Sequence, residues 1–375
     1  MKLSSLSSVL LALSHVWGQE WSIVPDSTAT TLVGVGVSSN TLAVGAAAQN
    51  GVGAYFDRYD SGVWYKDQVP GGLLMDSAIS ESVIVGASMM PIIISTDGGK
   101  TYTTAENIGG VCQSTTVFGP DGKDIGLVGY FHQTPGSPYV YGVAHSPDAG
   151  QSWEVFEVPV GMTRYGSFPS QNTWYVTSGT WGDSLTSQLK NTTSHSLNSN
   201  LRVSSNGINI ELFNGQASGY WGAISKTTDG GETWETVFTS EASDAYYFNA
   251  IDCSSELHCV AVTEGQTVDD FHAFVTFDGG ATWTDSLVES PIPSNTVSFT
   301  SAAWKDDMEG WVAGAVQNGR SLSGLFMKTS DGGKTFSVEQ NLENCLVMDM
   351  DFGDDLGVAA CVSSTGSSCS MAWYK

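Results

Sequence analysis

Thr227-Thr228-Asp229-Gly230-Gly231-Glu232-Thr233-Trp234 is one of five near-copies of an octapeptide in this 375-residue chain. The others are Ser95–Tyr102 (STDGGKTY), Ser146–Trp153 (SPDAGQSW), Thr276–Trp283 (TFDGGATW) and Thr329–Phe336 (TSDGGKTF). Each reads Ser/Thr-x-Asp-x-Gly-x-Ser/Thr-aromatic. Asp and Gly between two apolar runs signal a hairpin, because Gly takes the positive φ that tight turns need. The Asp carboxylate and the hydroxyl residues can close such a turn by accepting and donating local hydrogen bonds. The aromatic then opens the next strand and faces the core.

Working outward, a second element precedes each turn: a β-branched run that usually ends in a small residue. It occurs as Leu42–Ala47, Val83–Ser88, Gly126–Phe131, Trp174–Gly179, Cys259–Glu264, Trp311–Val316 and Gly357–Val362, which makes seven. A short strand comes before each, such as Tyr247–Cys253 or Val297–Trp304. A third follows, as Ala54–Arg58, Pro91–Ser95, Tyr139–His145, Trp221–Thr227, His272–Phe277, Gly324–Thr329 and Ser370–Lys375. The octapeptide then turns into a fourth. Four short antiparallel strands repeated about every 40–50 residues mark a β-propeller, so the expected fold is all-β with seven blades. Tyr59–Trp64 reads as a shortened octapeptide in the first blade. The last unit ends at Lys375 where a turn should follow, while Trp21–Val24 resembles the strand after such a turn. The N-terminal strand is therefore expected to complete blade seven and close the ring, which removes exposed sheet edges.

One unit is out of step. Asp148 and Asp229 lie 81 positions apart, whereas other neighbouring octapeptides are 49 to 53 apart. The excess is the Ser-, Asn- and Gly-rich segment 181–220, expected as an insertion in blade four, with an extra hairpin around Ser205-Asn206-Gly207.

The first residues, one Lys followed by a short apolar run to Trp17-Gly18, read as a secretory signal peptide spanning 1–18. A first strand and a membrane anchor are the competing readings, and the run is too short to span a bilayer. The rest, 19–375, is expected to be the propeller, secreted or in a secretory-pathway lumen. Six cysteines suit that compartment. Cys253 and Cys259 flank a tight turn and are expected to pair. Cys361 and Cys369 form the second candidate pair, with Cys345 competing for Cys361. No CxxC occurs, so neither metal nor cofactor is expected. Asn191-Thr192-Thr193 is the glycosylation acceptor. A formal charge of −25 disfavours nucleic acid and anionic membranes as partners.

At the five octapeptides the chain resembles the Asp-box (bacterial neuraminidase repeat) propellers, over nearly the whole mature length. These include sialidases, sortilin-type receptors, xyloglucan-cleaving glycosidases and photosystem II stability/assembly-factor-like proteins. In texture the stretch Met308–Gly314 leading to Thr329–Phe336 is similar to the last type. The motif implies a fold more than an activity. Sialidase chemistry, in the resemblance, would require three arginines, an Arg-Ile-Pro segment, a Tyr–Glu pair and an acid/base Asp. The chain has four arginines, Arg58, Arg164, Arg202 and Arg320, and none precedes Ile-Pro. The assembly-factor type would be a chaperone of the thylakoid lumen, yet the N-terminus lacks a plastid extension and the acidic chain lacks that family's basic patch.

The octapeptide carboxylates Asp97, Asp148, Asp229, Asp278 and Asp331 are expected to be structural, one per blade on the rim. A glycosidase would need two opposed carboxylates. Asp183, Glu211, Glu264, Asp269 and Asp270 fall between second and third strands, which share one face of the ring. Asp269 and Asp270, beside Phe271-His272, are the weak catalytic candidates. His132 is expected on the rim. Tyr139, Trp181, Tyr220 and Phe271 are aromatics available on the same face. The expectation is a non-catalytic propeller binding a protein or glycan there, with a glycoside hydrolase as the competing class and an assembly chaperone as the third.

Overall fold

The computed structural model describes residues 20–24, 32–39, 42–47, 54–70, 74–88, 91–105, 108–132, 136–180, 220–241, 244–265, 271–288, 296–318, 321–353, 356–363 and 371–374. Within them the chain forms seven antiparallel sheets and no helix. Their innermost strands are Leu32–Ser39, Leu74–Ser80, Gly109–Phe118, Thr163–Ser167, Tyr246–Cys253, Thr296–Trp304 and Cys345–Phe352. These touch in cyclic order, the last returning to the first, so the sheets are the blades of a closed seven-bladed propeller. The expected second strands recur almost residue for residue, as at Leu42–Ala47, Val83–Ser88 and Trp174–Thr180.

Closure is made where it was expected. Trp21–Ile23 pairs antiparallel with Met371–Tyr374 and becomes the outer strand of blade seven. Trp21 is buried, with its ring 4.3 Å from Phe326 and 5.6 Å from Tyr374. The Gln340 side chain brackets its backbone, with Oε1 accepting from Trp21 N–H at 2.9 Å and Nε2 donating to Trp21 C=O at 2.6 Å.

Two local departures appear. The first blade has no octapeptide turn: Asp60 faces Val63 across Ser61-Gly62, both at positive φ (51° and 94°), a two-residue primed hairpin. Blade six has a fifth strand. After Thr284–Asp285 completes blade five, Leu287–Val288 crosses over and pairs in parallel with Thr335–Phe336 of blade six.

The core is divided rather than central. Seven apolar clusters each fill one seam between neighbouring blades, for example Val260, Phe299, Trp304 and Phe336 between blades five and six. Twisted sheets packed face to face bury both faces, so inner strands carry near-continuous apolar runs. Cys253 and Cys259 form the expected disulfide across a paired position of blade five. Cys361, by contrast, is a free buried thiol. It lies opposite Val347 and fills apolar core between blades six and seven, while Cys345, opposite Ser363, is disulfide-bonded. Cys369, segment 1–18 and Asn191 lie outside the described residues. Among the described residues no helix is long and apolar enough to cross a membrane.

Candidate functional site

Every innermost strand slips register against its neighbour by a bulge, between Leu32/Gly34, Leu74/Asp76, Cys112/Ser114, Thr163/Gly166, Phe248/Ala250, Phe299/Ser301 and Val347/Asp349. A bulge adds an unpaired residue and re-aims its side chain. Of the skipped residues, Val33, Met75, Gln113, Tyr165, Asn249, Thr300 and Met348, one from each blade, line the axial channel, a cavity of about 430 Å³. Blades seven, one and two thus supply an apolar arc, and blades three to six a polar one.

Below these residues four aspartates join blades through the channel wall. Asp76 Oδ2 accepts from Thr115 N–H of blade three at 2.6 Å, and Asp252 Oδ2 from Trp304 N–H of blade six at 2.8 Å. Asp349 and Asp351 accept from Val35 and Val37 N–H of blade one at 3.0 and 2.7 Å. Each carboxylate therefore binds the next blade's backbone. Burial, the largest cause, pushes Asp349 up to about 6 and Asp351 up to about 8. The same cause raises Asp252, and raises Asp76 further with the Asp349 charge added. These residues were passed over in the sequence, although the signal was there: one carboxylate within an apolar strand, as in YYFNAIDC, or two, as in CLVMDMDF.

The octapeptide aspartates sit at the opposite end of the sheets from the loops between second and third strands. Asp229 Oδ1 accepts from Thr233 N–H and Thr227 Oγ1 at 2.8 Å each, and Oδ2 from Thr233 Oγ1 at 2.6 Å. Gly230 and Gly231 take φ of 71° and 99° to allow it. The same bonds recur at Asp97, Asp148, Asp278 and Asp331. Hydroxyl and backbone donors from Thr101 hold Asp97 down to about 2. All five carboxylates are engaged within their own turns.

On the loop face, Tyr139 is 44% exposed, and its ring stacks on Tyr130, 37% exposed, at 4.9 Å and on His132 at 4.4 Å. One blade further on, the Arg164 guanidinium lies 4.6 Å from the Tyr247 ring, and its Nε donates to Phe248 C=O at 3.2 Å. Arg164 makes no ion pair among the described residues. Tyr220 stacks on Tyr247 at 6.0 Å. Glu264, opposite Tyr247 in the ladder, accepts at Oε2 from Asn249 Nδ2 at 2.7 Å and from Ser298 Oγ at 3.3 Å. Burial, reinforced by the Glu264 charge, raises the Tyr247 hydroxyl far above the ordinary tyrosine value, so it keeps its proton at neutral pH.

Phe271 is not a surface aromatic. It is buried at the seam of blades five and six, 6.2 Å from Phe299. His272 turns outward to Asp285, Nδ1 to Oδ2 at 2.7 Å. Trp181, Asp183, Arg202, Glu211, Asp269, Asp270 and Arg320 lie outside the described residues. Among the described residues no group of three or more His, Cys, Asp or Glu side chains is placed to hold a metal ion.

No model of a known protein family matches the chain, and no curated protein does. Solved structures do. YCF48 from Cyanidioschyzon merolae aligns with a TM-score of 0.58 at 13% identity, covering 94% of this chain and 98% of that one. A polysaccharide lyase of family PL25, ulvan lyase, bound to -[GlcA(1-4)Rha3S]-, aligns at 0.56 and 10% identity over 92% and 94%. The WD40 repeats of RRP9 align at 0.56 and 10% over 94% and 96%. At these identities the likeness is one of fold.

Proposed function

We propose that this chain is a secreted, non-catalytic propeller of the Asp-box kind that binds a glycan through its loop face. The carrying observation is the Tyr130–Tyr139–His132 stack, with Tyr130 and Tyr139 exposed, and, one blade further on, Arg164, a guanidinium that makes no ion pair among the described residues of a chain of formal charge −25. Planar tyrosines present large apolar faces with little conformational entropy to lose, and they stack on the apolar faces of sugar rings. Arg164 supplies planar donors for an acidic substituent of such a sugar. Glu264, the one predicted carboxylate candidate among the described residues, favours binding over turnover. Its Oε2 already accepts from Asn249 and Ser298.

The test is a glycan array with acidic and neutral oligosaccharides, followed by titration of Tyr139→Ala and Arg164→Gln. Binding without turnover, weakened roughly tenfold or more by either change, supports the reading, since stacking and charge-assisted contacts each contribute about 1–2 kcal/mol. Turnover abolished by Glu264→Gln would instead establish the carbohydrate-active class, for which the Tyr247–Glu264 pair beside Arg164 is the specific observation. An assembly chaperone has only the fold-level likeness to YCF48 in its support.

A further inference from the structure

Blades built on one pattern can be compared position by position, and on the face that carries the octapeptide turns two blades depart from the rest. In blades two to six the fourth octapeptide residue donates its N–H to a carbonyl in the turn between the first and second strands. That carbonyl belongs to Ser82, Lys123 and Asn172 in blades two to four, and to Leu257 and Met308 in blades five and six. The second octapeptide residue is Thr96, Pro147, Thr228, Phe277 and Ser330 over the same five blades. The same backbone bond forms beside polar side chains elsewhere, so the fold does not call for Leu257, Phe277 or Met308. All three are nonetheless exposed, at 57%, 48% and 55%.

The three side chains form one ordered patch across the seam of blades five and six. A Cβ on Gly279, two residues after Phe277, would lie 3.1 Å from Leu257 Cδ2. One on Gly332 of blade six would lie 3.5 Å from the Phe277 ring, and Gly332 N–H donates to Met308 C=O at 3.0 Å. The Phe277 ring stacks on His258, with centroids 5.0 Å apart and planes 14° from parallel. His258 is buried, its ring 4.4 Å from Trp304, and both its nitrogens are hydrogen-bonded. Nδ1 bonds Ser254 Oγ at 2.7 Å and Nε2 donates to Gly332 C=O at 2.9 Å. An exposed aromatic pinned in this way has little conformational entropy left to lose when a partner covers it. Single surface apolar residues need no explanation, but a contiguous, ordered group that the repeat does not require marks an interface.

The rim selects the partner. Glu256, Asp278, Asp306 and Asp307 are exposed beside the three side chains, and Asp331 adjoins Gly332. Hydrogen bonds from Thr282 hold Asp278 below the ordinary carboxyl value, and those from Glu309 and Met308 N–H do the same for Asp306, so both are ionised at neutral pH. Two lysines reach the patch. Lys334 Nζ lies 5.8 Å from the Phe277 ring, and Lys226 Nζ donates to Gly279 C=O at 2.8 Å. Five carboxylates against two lysines leave the rim negative.

We infer that this patch docks a partner protein through a basic segment that carries apolar residues between its lysines or arginines. The apolar side chains cover Leu257, Phe277 and Met308, and the cations face the carboxylate rim. A second copy of the chain in a two-fold contact would set acidic rim against acidic rim, and an anionic membrane would be repelled. The patch lies at the opposite end of the blades from the loop face and does not depend on the reading given for that face.

The experiment is fluorescence-anisotropy titration of the full chain with three labelled peptides. They are KKFLKKLLKK, a counterpart with every Lys replaced by Glu, and one with every Phe and Leu replaced by Ser. The basic apolar peptide should bind, more weakly as salt is raised, and each counterpart roughly tenfold or more weakly than it. Leu257→Asn/Phe277→Thr/Met308→Ser installs residues that other blades carry at these positions. It should weaken the basic apolar peptide by roughly tenfold or more, with Tm and the circular dichroism spectrum unchanged. Glu256→Gln/Asp307→Asn should weaken it at low salt and flatten the salt dependence. Tyr139→Ala should leave the affinity unchanged. Absence of binding by the basic apolar peptide would overturn the inference, as would equal affinity for either counterpart. So would full affinity in the triple variant or loss of affinity in Tyr139→Ala. Sedimentation equilibrium should give the parent and the triple variant the same mass. Association of the parent that the triple variant abolishes would overturn the inference by making the occupant a second copy.

Discussion

Replacing Asp349 by Asn should make the propeller more stable in mild alkali and leave it unchanged in acid. Asp349 lies in the channel wall, where burial lifts its carboxyl from 3.8 to about 6. A carboxyl raised in the folded state contributes stability in full below its unfolded value, and that contribution is lost as the pH climbs through the folded value. A shift of about two units corresponds to ~3 kcal/mol as a ceiling. The effective dielectric around buried groups in proteins is well above that of a dry interior, which brings the expected loss between pH 4 and pH 8 to about 1–2 kcal/mol. Asn suits the site, because its oxygen can accept from Val35 N–H while its amide donates to the Ser301 hydroxyl, the group now 3.1 Å from Asp349 Oδ1. Urea unfolding of both proteins at pH 4.5, 6 and 8 should give coincident stabilities at the lowest pH and a variant about 1–2 kcal/mol more stable at the highest, equivalent to a few degrees in Tm. Glu235→Gln, which removes the same formal charge at an exposed position of an outer strand, controls for general repulsion and should shift far less. Parallel pH profiles for Asp349→Asn and the parent, or an equal effect of the control, would refute the reasoning.

Further outcomes follow from the same geometry. Trp21→Ala should cost about 3–5 kcal/mol by emptying the ring-closing seam, seen as a large drop in the denaturation midpoint. Asp331→Ala removes acceptors for Thr335 and Thr329 and should cost about 1–3 kcal/mol by urea unfolding. Cys253→Ser/Cys259→Ser opens a short loop and should cost about 2 kcal/mol by urea unfolding, with dithiothreitol producing a larger shift in the parent because it also reduces the disulfide of Cys345. The octapeptide carboxyls, held below their ordinary value by donors within the turn, contribute stability that disappears as the pH falls through that lowered value. Far-ultraviolet circular dichroism should therefore show acid unfolding between about pH 4 and pH 2, on the opposite side of the maximum from the Asp349 effect.

The chain is written so that local interactions declare themselves. An octapeptide such as Thr227–Trp234 makes its own turn from its own hydroxyls, glycines and carboxylate, so its structure is legible wherever it recurs. Blade count, the strands between turns, the pairing of Cys253 with Cys259, and closure by Trp21–Ile23 were all readable for that reason. Period-two patterning and tight turns are short-range properties. The outcome for Cys361 and Phe271 was not readable, because a free thiol and a disulfide, or a buried and an exposed aromatic, have the same local sequence and differ only in which blade packs against them. The sequence marked the channel aspartates as carboxylates inside apolar strands, but not what they bind. Asp76, Asp252, Asp349 and Asp351 obtain their hydrogen bonds from the following blade, and for Asp349 and Asp351 that blade is Leu32–Gln68, more than 280 positions earlier in the chain. The same holds for the patch between blades five and six, where Leu257 and Phe277 meet Met308 only after two sheets have packed. Turn chemistry is decided within eight residues. Burial, charge compensation and the shape of a site are decided by what the ring brings alongside.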